Sequence, residues 1–129
     1  MELNGETLRF IREHCKDDVR SLALQAPKYP GVDMPVALTQ IAGRQAAAEK
    51  IPSWHEEEGV LYPRHLSLEQ CSSEATARYK ASIIPESSSG TLTDLTGGFG
   101  IDCAFLSPKF HHVTYVERQE VLCEIASHN

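Results

Sequence analysis

The chain reads as an α/β protein, mainly helical over residues 1–86 and passing at 87–129 into a strand–helix–strand–helix unit. Three observations predict this. Thr91-Leu92-Thr93-Asp94-Leu95 is a short β-rich run that leads into the closely spaced Gly97, Gly98 and Gly100. An apolar stretch, Ile101 to Leu106, and a second β-rich run, His112-Val113-Thr114-Tyr115-Val116, follow, and the second run ends in Glu117. Upstream, apolar residues recur at three-or-four spacing, the period of a half-buried helix.

Length and composition bound the reading. A chain of 129 residues is one domain or one and a half, and can bury roughly two-thirds of its unfolded surface. The net charge of −6 is spread evenly: 7 basic and 10 acidic residues lie in 1–60, 5 and 8 in the remainder. There is no broad basic footprint for nucleic acid. Cys15, Cys71, Cys103 and Cys123 are far apart and form no C-x-x-C, so they read as buried thiols. The first residues lack the basic and apolar regions of a signal peptide, and no apolar run approaches the ~18 residues of a membrane span. The expectation is a soluble, reduced, cytoplasmic protein without membrane partners.

In chain order, residues 5–26 predict helix, broken near Lys16-Asp17, with Asp17 as cap and Asp18 in the first turn. Pro27 and Pro30-Gly31 end that segment. Asp33 reads as an N-cap with Pro35 in the first turn of a helix that runs to about Lys50. Met34, Leu38, Ile41, Gln45 and Ala48 share a face there. Gly43 in mid-helix costs about 1 kcal/mol against Ala, which a close approach of another segment or a ligand would explain. Arg44 beside it is an anion-contact candidate or an exposed arginine. Ser53 to His65 predicts a loop or short strand pair, with Glu56-Glu57-Glu58 as a solvated turn. His55 beside that triplet has no second cluster at ligand spacing, so no metal site is expected.

Ser67 to Ser82 predicts one helix with a capping box, Ser67-Leu68-Glu69-Gln70. Leu68, Cys71, Ala75, Tyr79 and Ser82 form its buried stripe. Glu69, Ser73, Thr76 and Lys80 form a second, polar stripe. Ser and Thr are weaker helix formers than Glu or Lys, so this stripe suits contact with cofactor or substrate, or polar packing between the two parts. Pro85-Glu86-Ser87-Ser88-Ser89-Gly90 reads as a linker, placing the boundary between 86 and 87. The final helix, Gln119 to Asn129, is expected to bury Val121, Leu122 and Ile125.

Strand, glycine-rich turn, helix, strand, acidic residue is the opening of a nucleotide-binding Rossmann unit. Glycine permits positive φ and close backbone approach to a ligand. Glu117, 23 residues after Asp94, is placed to accept hydrogen bonds from two ribose hydroxyls. The dinucleotide pattern G-x-G-x-x-G/A fails at Cys103, and no G-K-[ST] follows the glycines. Asp94 before the turn would repel a pyrophosphate but suits an ammonium. S-adenosylmethionine has an amino-acid end, a sulfonium and a ribose, and no phosphate. Asp102 reads either as a favourable charge in the first turn of the following helix or as a cofactor contact.

Asp94-Leu95-Thr96-Gly97-Gly98-Phe99-Gly100 resembles the first motif of class I S-adenosylmethionine-dependent methyltransferases, with Thr96 where many members have another glycine. Extended to Ile101-Asp102, it is similar to the D-x-T-x-G-x-G-x-D variant of some bacterial RNA methyltransferases. Gln40-Ile41-Ala42-Gly43-Arg44-Gln45, Ile51-Pro52-Ser53-Trp54 and Glu69-Gln70-Cys71-Ser72-Ser73-Glu74 resemble a bacterial methyltransferase group. Its members have a helical N-terminal region, a Rossmann-like core and C-terminal ferredoxin-like and THUMP-like domains. The resemblance covers nearly the whole chain and implies S-adenosylmethionine as cofactor. It implies cofactor contacts from Asp94, Thr96, Gly97, Gly98, Gly100 and Glu117, with Arg118 over the adenine. The segment before the first strand would lie over the methionine end, where Glu69, Ser73, Thr76 and Lys80 are the candidates.

Residues 91–129 hold room for two strands and two helices, so the unit reads as an incomplete core, the N-terminal portion of a longer methyltransferase. An independent small binding module is the alternative to truncation. No N-P-P-Y string occurs and no general base can be named. An RNA substrate would be gripped outside this chain. A bare edge on the first strand predicts self-association. Two other readings stay open: a fragment of a nicotinamide-dependent oxidoreductase, and a non-catalytic helical interaction module.

Overall fold

The computed structural model describes residues 2–86 and 90–129. The expected boundary at 86/87 abuts residues 87–89, which lie outside the described ones. The element order is α1 (Gly5–Glu13), α2 (Val19–Leu24), α3 (Met34–Lys50), α4 (Pro52–Glu56), α5 (His65–Gln70), α6 (Glu74–Ser82), β1 (Thr91–Asp94), α7 (Ile101–Leu106), β2 (His112–Tyr115) and α8 (Glu120–His128). The architecture is thus mixed α/β and mostly helical, with a small parallel sheet. No helix among the described residues is long and apolar enough to cross a membrane.

Side-chain caps set several helix starts. Asn4 accepts from the Thr7 N–H and Asp33 from the Val36 N–H. The cap of α2 is Asp18, whose carboxylate accepts from the Ser21 N–H, and not Asp17. Asp17 instead lies against His14 Nδ1 at 2.6 Å. The expected single helix over 67–82 is two. Ser67 opens nothing, because α5 has already started at His65. Ser73 is the working cap: its Oγ accepts from the Thr76 N–H and opens α6. The Ser73 side chain takes a backbone N–H as its partner in place of the continued helix, which favours a break there.

That break rotates the face. Leu68 and Ala77 are buried, but Ala75, Tyr79 and Ser82 are exposed, contrary to one continuous stripe. The buried side of α6 is Glu74 and Ala77. The Glu74 carboxylate accepts from the Ser53 N–H and Oγ–H (both 2.9 Å) and from Arg78 Nε (2.9 Å) and Nη2 (2.8 Å). Burial opposes its charge, yet these donors hold it below the usual carboxylate range. The loop expected from Ser53 is α4 in its first turn, started by Pro52 and tied to α6 through Ser53. Glu56, Glu57 and Glu58 are exposed, as expected, but Glu56 ends α4 and only the residues after it form the turn.

Helix α3 connects two clusters of buried side chains. One joins Phe10, Leu22, Met34, Ala37 and Ile41. The other joins Ala47, Ile51, Tyr62, Leu68 and Ala77 to Phe99, Ile101 and Ile125. The helical region and the glycine turn therefore share a core. The face of α3 differs from the expected one, since Gln45 and Ala48 are exposed while Ala37, Gln40, Gly43 and Ala47 are buried. Tyr62 lies across Gly43, where an added Cβ would fall 2.3 Å from the Tyr62 Cβ. Gln40 holds Tyr62 there by accepting from its N–H (2.8 Å) and donating to its carbonyl (2.9 Å). Close approach, the packing explanation for Gly43, is what the fold uses.

Strands β1 and β2 pair in parallel, Thr91 opposite His112 through Asp94 opposite Tyr115. Leu92, Asp94, Val113 and Tyr115 face inward and are half-buried, while Thr91, Thr93, His112 and Thr114 are exposed. Among the described residues no third strand joins either edge. Leu95 (74% exposed) and Val116 (42%) continue the bare face. In α8, Leu122 and Ile125 are buried, but Val121 is 60% exposed and does not belong to the core.

Candidate functional site

The glycine turn leaves β1 at Asp94 and enters α7 at Ile101. Asp94 starts it by accepting from the Thr96 N–H at 3.0 Å, a local turn bond open to aspartate. Gly98 (φ 54°) and Gly100 (φ 90°) take left-handed conformations that side chains resist. Gly97 is needed for space, because a Cβ there would fall 2.2 Å from the Tyr115 ring. Tyr115 buttresses the turn from β2, donating its hydroxyl proton to the Gly98 carbonyl at 2.6 Å. Burial, with nearby Cys123 and Glu117, pushes the Tyr115 phenol up to about 12, so it remains a donor at neutral pH.

Glu117 closes the turn from the other side. Its Oε1 accepts from the Gln119 N–H (2.9 Å) and its Oε2 from the Gly98 N–H (3.0 Å). These donors, Gln119 first, hold the carboxyl below its usual range, with the Arg118 charge adding to them. A carboxylate can accept more donors than these two, and Glu117 lines the cleft described next.

Above this turn lies a cleft of about 450 Å³. One wall is the turn with Glu117, Gln119 and Leu122; the other is the α5–α6 junction, with Ser67, Gln70, Cys71 and Ser72. Lys80 and Asp102 also line it. Lys80 Nζ donates to Asp102 Oδ2 (3.1 Å) and to Ser72 Oγ (3.1 Å), and Ser72 Oγ–H donates to the same Oδ2 (3.2 Å). Asp102 Oδ1 is shielded from solvent and has no hydrogen-bond partner.

The structure thus brings Thr96, Gly97, Gly98, Gly100, Glu117 and Lys80 to one cleft. Asp94 is not on its lining; its second oxygen lies 3.6 Å from Cys103 Sγ, behind the turn. Burial and the Asp94 charge push the Cys103 thiol up to about 11. Arg118 is exposed and off the lining. Glu69 ends on α5 against His65 Nε2 at 3.1 Å, and Ser73 and Thr76 bond each other at the start of α6. None of those three lines the cleft: Glu69 lies before the helix break, on α5, and Ser73 and Thr76 sit in the first turn of α6, while Lys80 stands near its other end. Gln70 and Ser72 carried a signal only as members of the Glu69–Glu74 string, which assigned them no role, and Gln119 carried none. Asp102 did carry one, as the last residue of the glycine string. Among the described residues no group of three or more His, Cys, Asp or Glu is placed to hold a metal ion.

The residues present fit S-adenosylmethionine in kind. The turn allows close backbone approach, Glu117 offers acceptors for a ribose, and the lining also carries the Lys80 cation and the Asp102 anion, from α6 and α7. At position 103 a side chain, and not hydrogen, packs toward β1, which is where the dinucleotide pattern calls for glycine or alanine.

No family profile and no curated protein matches the chain. Among solved structures, a "putative methyltransferase from Porphyromonas gingivalis W83" superimposes with a TM-score of 0.71 at 28% identity. The match covers 98% of this chain and 32% of that one, so the chain spans about a third of the solved protein's length. The helical region and the strand–turn–helix unit together therefore have a methyltransferase-like fold.

Proposed function

We propose that the chain forms the cofactor-binding front of an S-adenosylmethionine-dependent methyltransferase. The observation that carries this is the cleft itself, where a turn with two positive-φ glycines and the Glu117 carboxylate faces the α5–α6 junction. S-adenosylmethionine supplies an activated methyl group to a nucleophile. In the cleft, Gly97, Gly98 and Gly100 let the backbone approach the ligand, and Thr96 lines its edge. Glu117 accepts from the ribose hydroxyls with its remaining acceptor capacity, while its two backbone bonds keep the carboxylate fixed. Preorganised alignment of the sulfonium against a nucleophile is the main service such a protein performs. RNA is the proposed substrate class, on the resemblance of residues 94–102 to the bacterial RNA-modifying variant. With a net charge of −6 on this chain, its phosphates would be gripped elsewhere.

The test is saturation-transfer NMR with S-adenosylhomocysteine and with NAD, on the chain and on Glu117→Ala. Binding of S-adenosylhomocysteine that weakens at least tenfold in the variant supports the reading. Binding of NAD with none of S-adenosylhomocysteine replaces it with the oxidoreductase, and binding of neither replaces it with a non-catalytic helical module.

A further inference from the structure

Phe99 stands between the two left-handed glycines of the turn, Gly98 (φ 54°) and Gly100 (φ 90°), and is 1% exposed. It belongs to the cleft lining, yet its ring packs on residues of the helical region. The Trp54 ring meets it in a T-shaped contact, with centroids 5.3 Å apart and planes at 73°. The Tyr62 ring lies at 6.0 Å, tilted by 44°. Aromatic pairs at such separations prefer particular angles, so they orient the ring as well as bury it.

Both holders are themselves held. Tyr62 Oη–H donates to the Trp54 carbonyl at 3.2 Å, which ties the two residues together. Gln40 fixes the Tyr62 backbone through its paired bonds, and Gly43 admits Tyr62 against α3. Trp54 sits in α4, whose first turn is anchored to Glu74 through Ser53. Gln40 and Gly43 from one upstream string, and Ser53 and Trp54 from another, thus converge on a single ring of the turn. None of these four lines the cleft, nor does Tyr62. Gly98, next to Phe99, is held separately from the β2 side, by Glu117 at its N–H and Tyr115 at its carbonyl. A run with glycine at 97, 98 and 100 has unusual backbone freedom. A ligand that needs one form of it binds more weakly by the fraction of time spent in the others.

We infer that Trp54 and Tyr62 are positioning residues for the turn. By clamping the Phe99 ring they hold the Gly98–Gly100 backbone in the form that faces the ligand, so residues outside the cleft set its affinity. The inference takes its ligand from the cofactor reading above and gives the helical region a part in binding beyond stability.

The test compares the chain with Trp54→Leu, Phe99→Leu and the conservative Trp54→Phe. Leu22→Ala is the control, since Leu22 belongs to the other cluster of buried side chains and its loss lowers stability without touching the clamp. Thermal melts fix a temperature at which all five proteins are folded. Affinity for S-adenosylhomocysteine is then measured by NMR titration. Without ligand, hydrogen exchange is followed at the Gly98 and Gly100 amides, bonded to Glu117 and to the Gly97 carbonyl, and read against the Val116 amide, bonded to Asp94.

Trp54→Leu and Phe99→Leu should speed exchange at the two glycines by about fivefold or more relative to Val116. They should weaken binding by about the same factor. Trp54→Phe, which keeps an aromatic ring, should restore both toward wild type. Leu22→Ala should melt lower and change neither. Glycine exchange in Trp54→Leu that matches the wild type would overturn the inference. So would a loss of affinity in Leu22→Ala as large as in Trp54→Leu, because Phe99 would then serve stability alone. Failure of the wild type to bind S-adenosylhomocysteine would remove the cofactor reading, while the exchange ratios and the Trp54→Phe rescue would still decide whether the clamp positions the turn.

Discussion

Replacing Gly43 by alanine sets two physical effects of opposite sign against each other. Read from the helix alone, Gly43→Ala stabilises α3 by about 1 kcal/mol, through lower backbone entropy in the unfolded chain. The packing reverses this. The new Cβ would fall 2.3 Å from the Tyr62 Cβ and 2.8 Å from its Cγ. Those atoms are fixed to the backbone or next to it, so no rotamer change relieves the clash. Either α3 or the 60–63 segment must move, at an overpacking cost of about 1–3 kcal/mol. Movement of Tyr62 also strains its paired bonds to Gln40, worth about 1 kcal/mol each. The net expectation is a loss of about 1–4 kcal/mol, which for a chain of this size lowers Tm by about 3–5 °C per kcal/mol. Gly5→Ala is the control, since nothing lies within 4 Å of its added Cβ; its Tm should stay level or rise slightly. Thermal unfolding followed by circular dichroism measures both. A Gly43→Ala protein as stable as the wild type, or more so, would refute the argument that Tyr62 dictates glycine at this position.

Further outcomes follow from the site and its supports. Gly97→Ala drives a methyl into the Tyr115 ring, which is itself tied to the Gly98 carbonyl, so S-adenosylhomocysteine binding should fall at least tenfold in NMR titration. Tyr115→Phe removes only the hydroxyl bond and should cost about 1 kcal/mol in a urea melt, with weaker binding. Glu74→Ala strips the Ser53 donors and Arg78 of their acceptor and should cost about 1–3 kcal/mol, discounted for the exposed Arg78. Because the folded Glu74 carboxyl titrates below its unfolded value, its contribution is full above about pH 4.5 and fades as pH falls through the folded value. The variant should therefore show a flatter acid limb in a stability-against-pH series. Finally, the unpaired strand edges and exposed Leu95 and Val116 predict self-association, which sedimentation velocity would detect and Leu95→Lys should reduce. A monomer at all concentrations would remove that proposal.

Much was legible because local chemistry decides it. Asp33 and Pro35 mark the start of α3, and Pro52 its end, through capping and proline geometry that tertiary contacts do not alter. The parallel strands, the glycine turn and the acidic end of β2 follow from residue types that few other conformations tolerate. Where several residues compete for one local role, the sequence alone was insufficient. Asp17 and Asp18 are equal candidates for a cap, as are Ser67 and Ser73, and the choice depends on which neighbouring helix has already started. A wrong cap then shifts the face assignments downstream, which is how Ala75, Tyr79 and Ser82 were placed inward.

The sequence by itself determined the turn at residues 94–100, the acid at 117 and the alternation of elements around them, since these depend on glycine φ, strand period and capping. Only the tertiary structure decided which side chains meet. Gly43 is paired with Tyr62, Gly97 with Tyr115 and Glu74 with Ser53 across 18 to 21 residues of chain. It also placed Lys80 beside Asp102 and set Asp94 behind the turn. Such juxtapositions come from how helices stack on a shared core, and that depends on the shapes of many side chains at once, which no single stretch of sequence records.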